Sequence, residues 1–532
     1  MTLSIDERAR MPQEYAASTE GEIVLQPAGD NSQPFERRFN LWTTVGMAVC
    51  IAGTWEGIGA VIFQGFQLGG APTIVWGYIL TTVGMTCVAA SLGELASIWP
   101  TSGAQYHWTA EFCPRKWRPL VSYCVMWTNL IALILSVVTI AFAIVLQIQG
   151  AIIITNPEYV AERWHVALMY WAVLTILLAL NIFGVKLFSA INTFTAVLHI
   201  TFLFVTMIVI LATTKEKNTA SNVFLEFQDN SGWNNNGIAF CVGIITASAG
   251  FGGVHTVVMF SEETKNASTT IPKAILYSVI INGLISFPWV ISVLFCTGNL
   301  EELLESPLTY ISPMGQIYLN SSGNRSLTVF FQVVTFLVGM CGSMDVMGSA
   351  GRAVFSAARD KALPRTLSEI HPKWNVPVKS LLVAAVPMYL ICLIYIWNTT
   401  AFSAFLSAFI TAQMLSYAIP IALLLFRLRN PEFQRGPWNL GRFHVVIHTI
   451  SLAWCVFLVI FTAFPTLLPV TAANMNYSVL INGIVVVLAA VLYLVYARSR
   501  FTGPLVEVVD GLSLVREEQI MVKDKELVEK KL

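Results

Sequence analysis

The sequence predicts an all-α integral membrane protein with twelve transmembrane helices and a core built as a five-plus-five inverted repeat. Three observations predict it: an apolar composition, twelve apolar segments long enough to cross a bilayer, and glycine clusters in the middle of the first and sixth segments. Of the 532 residues, 55% are hydrophobic and 12% are charged, and the mean hydropathy is +0.67. Soluble domains usually carry about 25% charged residues, so the composition alone indicates a membrane protein.

The segments were identified by length, because a helix needs about 20 mostly apolar residues to span the hydrocarbon core. Their predicted cores are 41–65, 72–97, 118–150, 166–183, 187–213, 236–260, 273–298, 327–357, 379–397, 401–427, 444–465 and 477–497. Segments three and eight are long, so we expect them to tilt or to extend into the cytosol.

Four regions follow from this pattern. Residues 1–38 are polar and are expected to form a disordered cytosolic tail without a signal peptide. Residues 39–430 would hold the inverted-repeat core of helices 1–10, residues 431–500 the peripheral helices 11 and 12, and residues 501–532 a charged cytosolic tail.

The distribution of basic residues predicts the orientation, because cytosolic loops are enriched in Lys and Arg. With the N-terminus in the cytosol, 16 Lys and Arg residues fall at the inner loops and 4 at the outer loops. Both termini would then be cytosolic. The glycosylation sequons at Asn320, Asn324 and Asn476 fall on the predicted outside, whereas Asn266 falls inside and Asn398 lies in a loop too short for modification.

Helix 1 contains "GTWEGIGA", which places Glu56 and three glycines inside an apolar span. A charge at mid-membrane costs about 2.5–3.5 kcal/mol and each glycine weakens a helix by about 1 kcal/mol. Helix 6 contains a second cluster, "TASAGFGGVHT". Broken helices at corresponding positions of two halves predict an inverted repeat with a ligand site at the membrane midplane.

The predicted ligand site takes residues from both breaks. Unwound amides of helix 1 would hold an anionic group and its carbonyls an ammonium, with Glu56 adding negative charge and Trp55 a cation–π face. The alternative is that Gly57 and Gly59 allow close helix packing while Glu56 pairs with a neighbour. The full set of predicted binding residues is Gly53, Thr54, Trp55, Glu56, Gly57, Ser248, Gly250, Phe251, Gly252 and His255.

Four motifs carry a resemblance to a known family. "CIAGTWEGIGA" (50–60), "SLGELASIWPTSGAQYHW" (91–108), "FSEETKNASTTIPKAI" (260–275) and "GRAVFSAARDKALPRTLSEIHPKWNVP" (351–377) resemble the amino acid–polyamine–organocation (APC) permeases, most of all the fungal branch of amino acid, choline and GABA permeases. The resemblance implies the APC/LeuT-type fold and rocking of helices 1, 2, 6 and 7 against the rest. His255 stands where that branch often has an aspartate.

The resemblance also implies roles for individual residues. Phe251 stands where related permeases place an aromatic gate over the substrate, with ordinary packing as the alternative. His255 is expected to contact substrate, to pair with Glu56, or to be a satisfied core residue. His199 stands where proton-coupled relatives carry a lysine on helix 5, and Asp345 on helix 8 would be its partner; structural polar contacts are the alternative.

Charged residues at the inner helix ends suggest a cytosolic gate. Salt bridges among Glu94, Glu262, Glu263, Arg352 and Arg359 would latch it. Solvated side chains that only set the topology are the alternative, because single surface pairs contribute about 0–1 kcal/mol.

The sequence also excludes several functional classes. No GxSxG, HExxH or GxxxxGK[ST] motif is present, so neither an enzyme nor an ATP-driven pump is predicted. Zero net charge argues against a nucleic-acid partner. The nine cysteines are scattered and show no metal-ligand spacing, so we interpret them as small buried hydrophobic residues. Neither a metal nor another cofactor is expected.

The expected function is therefore secondary active import of a small amino acid or amine, coupled to protons. The expected partners are the substrate, the coupling proton and membrane lipids. A choline-like quaternary amine is the alternative substrate. A nutrient receptor with a permease fold is a remote alternative, and a channel is disfavoured because no filter motif is present. The family expectation is the plasma membrane, with the vacuolar membrane as the other option.

Overall fold

A computed structural model describes residues 24–25, 37–397, 401–428, 433, 435–472, 474–504, 506–509 and 512–515. Twelve helices in these ranges are long and apolar enough to cross a membrane, which confirms the predicted fold class. Most of the two predicted tails, and the sequon at Asn398, lie outside the described residues. Strand Val24–Leu25 pairs with Leu512–Val515, which pairs in turn with Val506–Val509.

Ten of the spans are continuous α-helices, numbered here by their order among the twelve. They are helix 2 (Gly70–Ile98), helix 3 (Arg118–Thr155), helix 4 (Arg163–Phe183), helix 5 (Phe188–Thr213), helix 7 (Ala267–Phe295), helix 8 (Arg325–Arg359), helix 9 (Val378–Trp397), helix 10 (Ala401–Arg427), helix 11 (His444–Phe461) and helix 12 (Ser478–Leu492, followed by a π-helical turn, Tyr493–Ala497).

Helix 1 is broken at a single residue. Helix 1a (Leu41–Ala52) ends at Gly53, whose φ of 46° and ψ of 48° are left-handed, and helix 1b (Thr54–Gln67) follows at once. Glycine adopts this conformation without the steric cost that a Cβ imposes. The predicted break in helix 1 is therefore confined to Gly53, and Gly57 and Gly59 lie inside helix 1b.

The two later glycines serve close packing instead. A Cβ on Gly57 would lie 3.1 Å from the Ala249 carbonyl oxygen, and one on Gly59 would lie 2.9 Å from Met314 Cγ. Helix 1b can approach helix 6 at Gly57 because this position has no side chain. Both glycines therefore lie at close contacts, as the packing alternative expected, and Gly57 also lines the central cavity.

Helix 6 is interrupted over a longer stretch, as predicted. Helix 6a (Asn236–Ala249) ends in a turn over 250–253, and a 3-10 helix, helix 6b (Val254–Glu263), continues the span. Gly253 has a φ of 72°. A Cβ on Gly250 would lie 2.6 Å from the Thr54 carbonyl oxygen, so the two breaks meet in the middle of the protein.

The packing of the core agrees with an inverted repeat. Helix 1 contacts helix 6, helix 2 contacts helix 7, helix 3 contacts helix 8, and helix 4 contacts helix 9. A pseudo-two-fold axis that relates helices 1–5 to helices 6–10 would bring such counterparts together. Helices 11 and 12 lie outside this core, and only 22% and 17% of their apolar windows are buried.

Two connections cover the ends of the core. Between helices 7 and 8, the short helices Leu300–Glu305, Pro307–Ile311 and Pro313–Ser322 pack over helix 1b, helix 3 and helix 8. Between helices 2 and 3, the helix Ala104–Phe112 packs against helices 3 and 10. The helix 7–8 connection carries Asn320 and Asn324. The helix 2–3 connection lies at the opposite end of the core, together with the loops that are rich in Lys and Arg.

Candidate functional site

A central cavity lies where the two helix breaks meet. Residues of helices 1, 3, 6, 8 and 10 line this cavity. Helix 1 contributes Gly53, Glu56 and Gly57 to its wall, and helix 6 contributes Ala249 and Gly252. Five helices from both repeats thus enclose one site at the level of the breaks.

Glu56 is the only charged side chain in the wall of this cavity among the described residues. It lies in the first turn of helix 1b and is 8% exposed. Its Oε1 atom lies 2.7 Å from His199 Nδ1, whereas Oε2 contacts no hydrogen-bonding atom in the described part of the chain. The Oε2 atom is therefore the unpaired charge-bearing atom beside the cavity.

The hydrogen bonds around His199 determine how many protons the pair holds. Asn282 Nδ2 donates to the Val49 carbonyl at 3.0 Å, so Asn282 Oδ1 faces His199 Nε2 at 3.2 Å. An amide oxygen only accepts, so Nε2 is protonated. The 2.7 Å Nδ1–Oε1 contact requires a second proton between the His199 and Glu56 atoms, and the pair is neutral overall.

Backbone groups at the breaks add further polarity. The first N–H groups of helix 1b have no partner within their own helix, because Gly53 interrupts the hydrogen-bond ladder. Gly57 N donates to the carbonyl of Gly53, the residue that precedes helix 1b, at 2.8 Å. The N-terminus of helix 1b therefore offers amides and a positive dipole end at the cavity.

Four of the five predicted helix 6 residues lie outside the wall of the central cavity. Phe251 is fully buried and packs against Tyr78, with 5.8 Å between ring centroids, and it does not line the cavity. His255 Nδ1 lies 2.5 Å from the Tyr417 hydroxyl on helix 10, and no contact with Glu56 is present. Ser248 Oγ donates to the Ile244 carbonyl of its own helix at 3.0 Å. Gly250 lies in the break but outside the cavity wall.

The aromatic rings at the cavity come from helix 10, which the sequence did not indicate. Phe402 and Phe409 line the wall, and a Cβ on Gly252 would lie 2.8 Å from Phe409. Helix 3 adds Ser136 and Thr139. Ser136 and Thr139 are three residues apart and therefore lie on one face of helix 3. This spacing of polar residues in an apolar segment could have indicated a surface that faces a cavity.

Asp345 does not pair with His199, contrary to the expectation. Its Oδ1 accepts a hydrogen bond from Asn192 Nδ2 at 3.0 Å, and Oδ2 contacts no polar partner within the described ranges. Both residues are fully buried between helices 5 and 8. The partner of His199 is Glu56 on helix 1b.

Two ion pairs, one buried and one partly buried, join helix 6b to the inner end of helix 8. Arg352 Nε lies 2.6 Å from Glu263 Oε1, and its guanidinium lies 4.0 Å above the Phe260 ring. Arg359 forms two bonds to Glu262, of 3.0 Å and 3.1 Å. These four predicted gate residues therefore do come together.

Residues of the helix 2–3 connection contact the same cluster of charged residues. Ser102 donates to Glu262 at 2.6 Å. Tyr106 donates to Asp360 Oδ2 at 2.7 Å, and burial, reinforced by Asp360, raises the pKa of Tyr106 well above its usual value. The helix 2–3 connection is thereby fixed to the end of helix 8.

Glu94 is not part of this cluster. Its Oε2 lies 3.1 Å from His448 Nε2 on helix 11, and both side chains are fully buried. His448 Nδ1 lies 2.8 Å from Ser91 Oγ, which lies 2.7 Å from Ser451 Oγ. Glu94 thus links helix 2 to a peripheral helix rather than to Arg352.

The predicted sequons differ in accessibility. Asn320 and Asn324 are exposed on the helix 7–8 connection. Asn476 is partly buried, and its amide nitrogen donates to the carbonyls of Thr462 and Phe464 at 2.7 Å and 2.8 Å. Only the first two sites present the side chain to solvent.

Comparison with known proteins agrees with this architecture. A family model described as amino acid permease matches residues 39–488. The choline transporter of Saccharomyces cerevisiae is 30% identical over 452 residues, which cover 85% of this chain and 80% of that protein. Amino-acid permease 2 of Neurospora crassa is 27% identical over 508 residues, covering 95% and 93%.

A third relative has a different named cargo. The 7-keto 8-aminopelargonic acid transporter of Saccharomyces cerevisiae is 25% identical, covering 87% of this chain and 93% of that protein. The family match begins two residues before helix 1a and ends inside helix 12, so it includes both helix breaks and the whole core. The chain therefore belongs to the amino acid permease family and is a membrane transporter rather than an enzyme.

Proposed function

We propose that the protein imports a small amino acid or amine together with protons, by alternating access around the central cavity. The observation that carries the proposal is the unpaired Oε2 atom of Glu56 in the cavity wall, with its other oxygen held by His199. A cationic nitrogen can donate a hydrogen bond to this free oxygen, because buried carboxylate oxygens are normally hydrogen-bonded.

The remaining cavity wall supports an amino acid as substrate. The amides at the start of helix 1b are placed to accept a carboxylate, while Glu56 takes the amine. Ser136, Thr139, Gln147 and Thr335 supply polar contacts, and apart from Glu56 the rest of the wall is apolar or glycine. A zwitterion with a small side chain matches this arrangement.

The hydrogen-bond geometry supports proton coupling. Removing the shared proton from the Glu56–His199 pair would leave two lone pairs facing each other at 2.7 Å and a net negative charge in the membrane. Loss of the proton therefore favours separation of helix 1 from helix 5. Because Asn282 ties the same histidine to Val49, that separation acts on helices 1 and 7 together.

The ion pairs at the inner helix ends support the second half of the cycle. Arg352 and Arg359 on helix 8 hold Glu263 and Glu262 on helix 6b. Helix 6 belongs to the moving bundle in the proposed mechanism and helix 8 to the scaffold. Breaking both pairs would open the cavity to the cytosol, where both termini lie in the proposed orientation. The plasma membrane is the proposed location, with the vacuolar membrane as the alternative.

A choline-like cation is the second candidate substrate. Phe402 and Phe409 face the same cavity as Glu56, and aromatic faces with a carboxylate recognise quaternary ammonium groups. The similarity to the yeast choline transporter agrees with this alternative. Such a substrate needs no anion site at helix 1b.

Uptake of labelled choline, GABA and several amino acids at two external pH values tests both candidates. We expect accumulation that is faster at the lower pH and lost with an uncoupler. Replacing Glu56 by Gln should lower uptake about 100-fold, because the ligand's charge then lacks its buried partner. The matched control is Glu301→Gln, an exposed carboxylate on the outer connection, which should leave uptake unchanged.

The same experiment separates a transporter from a receptor. In proteoliposomes, a receptor would bind the labelled compound without concentrating it. Accumulation at native rates by the Glu56→Gln variant would overturn the proposed site.

A further inference from the structure

A second cavity adjoins the central one beneath the helix 7–8 connection, and we call it the outer chamber. The two cavities share the wall residues Glu56, Ala60, Ala143, Gln147 and Thr335. The chamber is covered by residues 311–314 of the connection. A solute bound at Glu56 would therefore have access to both spaces at once.

Gln332 on helix 8 is the most unusual residue of the outer chamber. It is 2% exposed, and neither Nε2 nor Oε1 has a hydrogen-bond partner among the residues described. Its carboxamide fits into a notch formed by two glycines: a Cβ on Gly315 would lie 1.9 Å from Nε2, and one on Gly150 would lie 3.2 Å from Oε1. Buried amides are normally hydrogen-bonded. The partner of the Gln332 amide is therefore expected to come from outside the described residues.

Two other wall residues present unpaired polar atoms. Trp55 Nε1 and Gln147 Oε1 also contact no donor or acceptor in the described ranges. With Gln332, the chamber offers donors and acceptors together. A bound chemical group must therefore both donate and accept hydrogen bonds in order to satisfy these unpaired atoms.

The charges in the wall narrow the chemistry of the bound group further. Glu56 lines the outer chamber as well as the central cavity, and the Glu56–His199 pair is neutral overall. A carboxylate placed in the chamber would be a buried charge without a cationic partner, whereas a neutral group carries no such cost. The chamber therefore favours a hydroxyl or a carboxamide over an acid.

We propose that the outer chamber binds the far end of the transported solute through Gln332, and that this end is a hydroxyl or carboxamide. The inference rests on the proposed function only in placing the solute's amine at Glu56. The favoured substrate class is then an amino acid with a hydroxyl or carboxamide side chain, or an amino alcohol such as choline. A solute with an apolar end would leave the Gln332 amide buried and unpaired.

The test compares matched ligand pairs on the purified protein. L-Glutamine is paired with L-norleucine, and choline with propyltrimethylammonium, so that each pair differs in its polar end. Dissociation constants come from ligand-dependent thermal stabilisation, which requires no transport. We expect the polar member of at least one pair to bind about tenfold more tightly.

Two variants should remove this preference. Gln332→Leu should bring the ratio of the two dissociation constants close to one, and Gly315→Ala should do the same by displacing the amide. The matched control is Gln316→Leu, because the Gln316 amide on the same connection already bonds Ser306 and Asn320. That variant should keep the native ratio.

Several results would overturn the inference. They are an unchanged ratio in a folded Gln332→Leu protein, equal weakening of both members of a pair, tighter binding of GABA than of either polar ligand, or no stabilisation of the native protein by either polar ligand. The Glu56→Gln variant should weaken both members of a pair equally. Failure of the proposed function would show in that variant, and failure of the outer chamber would show in the ratio.

Discussion

Replacing Arg352 by Ala should open the inner end of the transporter. The Arg352 guanidinium is bound to Glu263 Oε1 at 2.6 Å, donates to the Gly348 carbonyl at 3.0 Å and lies over the Phe260 ring. The side chains of the ion pair are 7% and 9% exposed. In the Arg352→Ala variant, the closed state therefore lacks this buried ion pair and retains Glu263 without its partner.

The size of the effect follows from this burial. Removing one partner of a buried pair costs about 3–5 kcal/mol, and each 1.4 kcal/mol is about a factor of ten in an equilibrium. In the open arrangement Glu263 is hydrated, so most of the cost falls on the closed state. We expect the closed-to-open ratio to fall by about 100-fold or more.

Cys50 provides a native probe for this change. It lines the central cavity and is 3% exposed. A membrane-permeant maleimide should label it much faster in the Arg352→Ala variant, as quantified by mass spectrometry of its peptide. The double variant with Glu263→Ala should label no faster than either single variant, because both remove one interaction.

The control breaks an exposed pair at the same end. Lys379 and Glu369 form an ion pair whose side chains are 55% and 58% exposed, and Lys379→Ala should leave Cys50 labelling unchanged. Native labelling rates in a folded Arg352→Ala protein would refute the assignment of the ion pair to a gate.

Three further substitutions test other parts of the structure. His199→Gln should make uptake insensitive to external acidification while exchange of labelled for unlabelled substrate continues; retained acid stimulation would exclude His199 as the coupling residue. Gly250→Ala should abolish transport without loss of surface expression, because its Cβ would lie 2.6 Å from the Thr54 carbonyl, and normal uptake would contradict the close contact of the breaks. His448→Ala should lower the thermal stability in detergent by about 3–5 kcal/mol, since it leaves Glu94 buried without its partner, whereas the half-buried His444→Ala should change it by less than about 1 kcal/mol.

Hydropathy alone predicted the number and order of the spans. Each segment must satisfy its own backbone hydrogen bonds within the lipid, so twelve apolar runs give twelve helices in the described residues. The breaks were also predictable, because glycines in mid-span are costly unless the chain turns there. The extent of the first break was not, since a single left-handed residue at Gly53 is enough to end one helix and start the next.

Side-chain partners were predicted less well, and the reason is distance along the chain. Glu56 and His199 are 143 positions apart, and Glu94 and His448 are 354 apart. No local pattern encodes such a contact. The gate residues on helices 6 and 8 were identified because charges of opposite sign stand at the predicted inner ends of those helices.

By itself the sequence determined the membrane class, the span order, the positions of the two breaks and the acidic residue at the first of them. These are properties of short stretches, because the cost of leaving a charge or a backbone amide in lipid is set by the segment that carries it. Only the tertiary structure decided that His199 holds Glu56, that helix 10 supplies the aromatic wall, and that Gln332 is left unpaired beneath the outer connection. Those facts depend on how five helices cross, since each contact joins atoms from segments far apart in the chain.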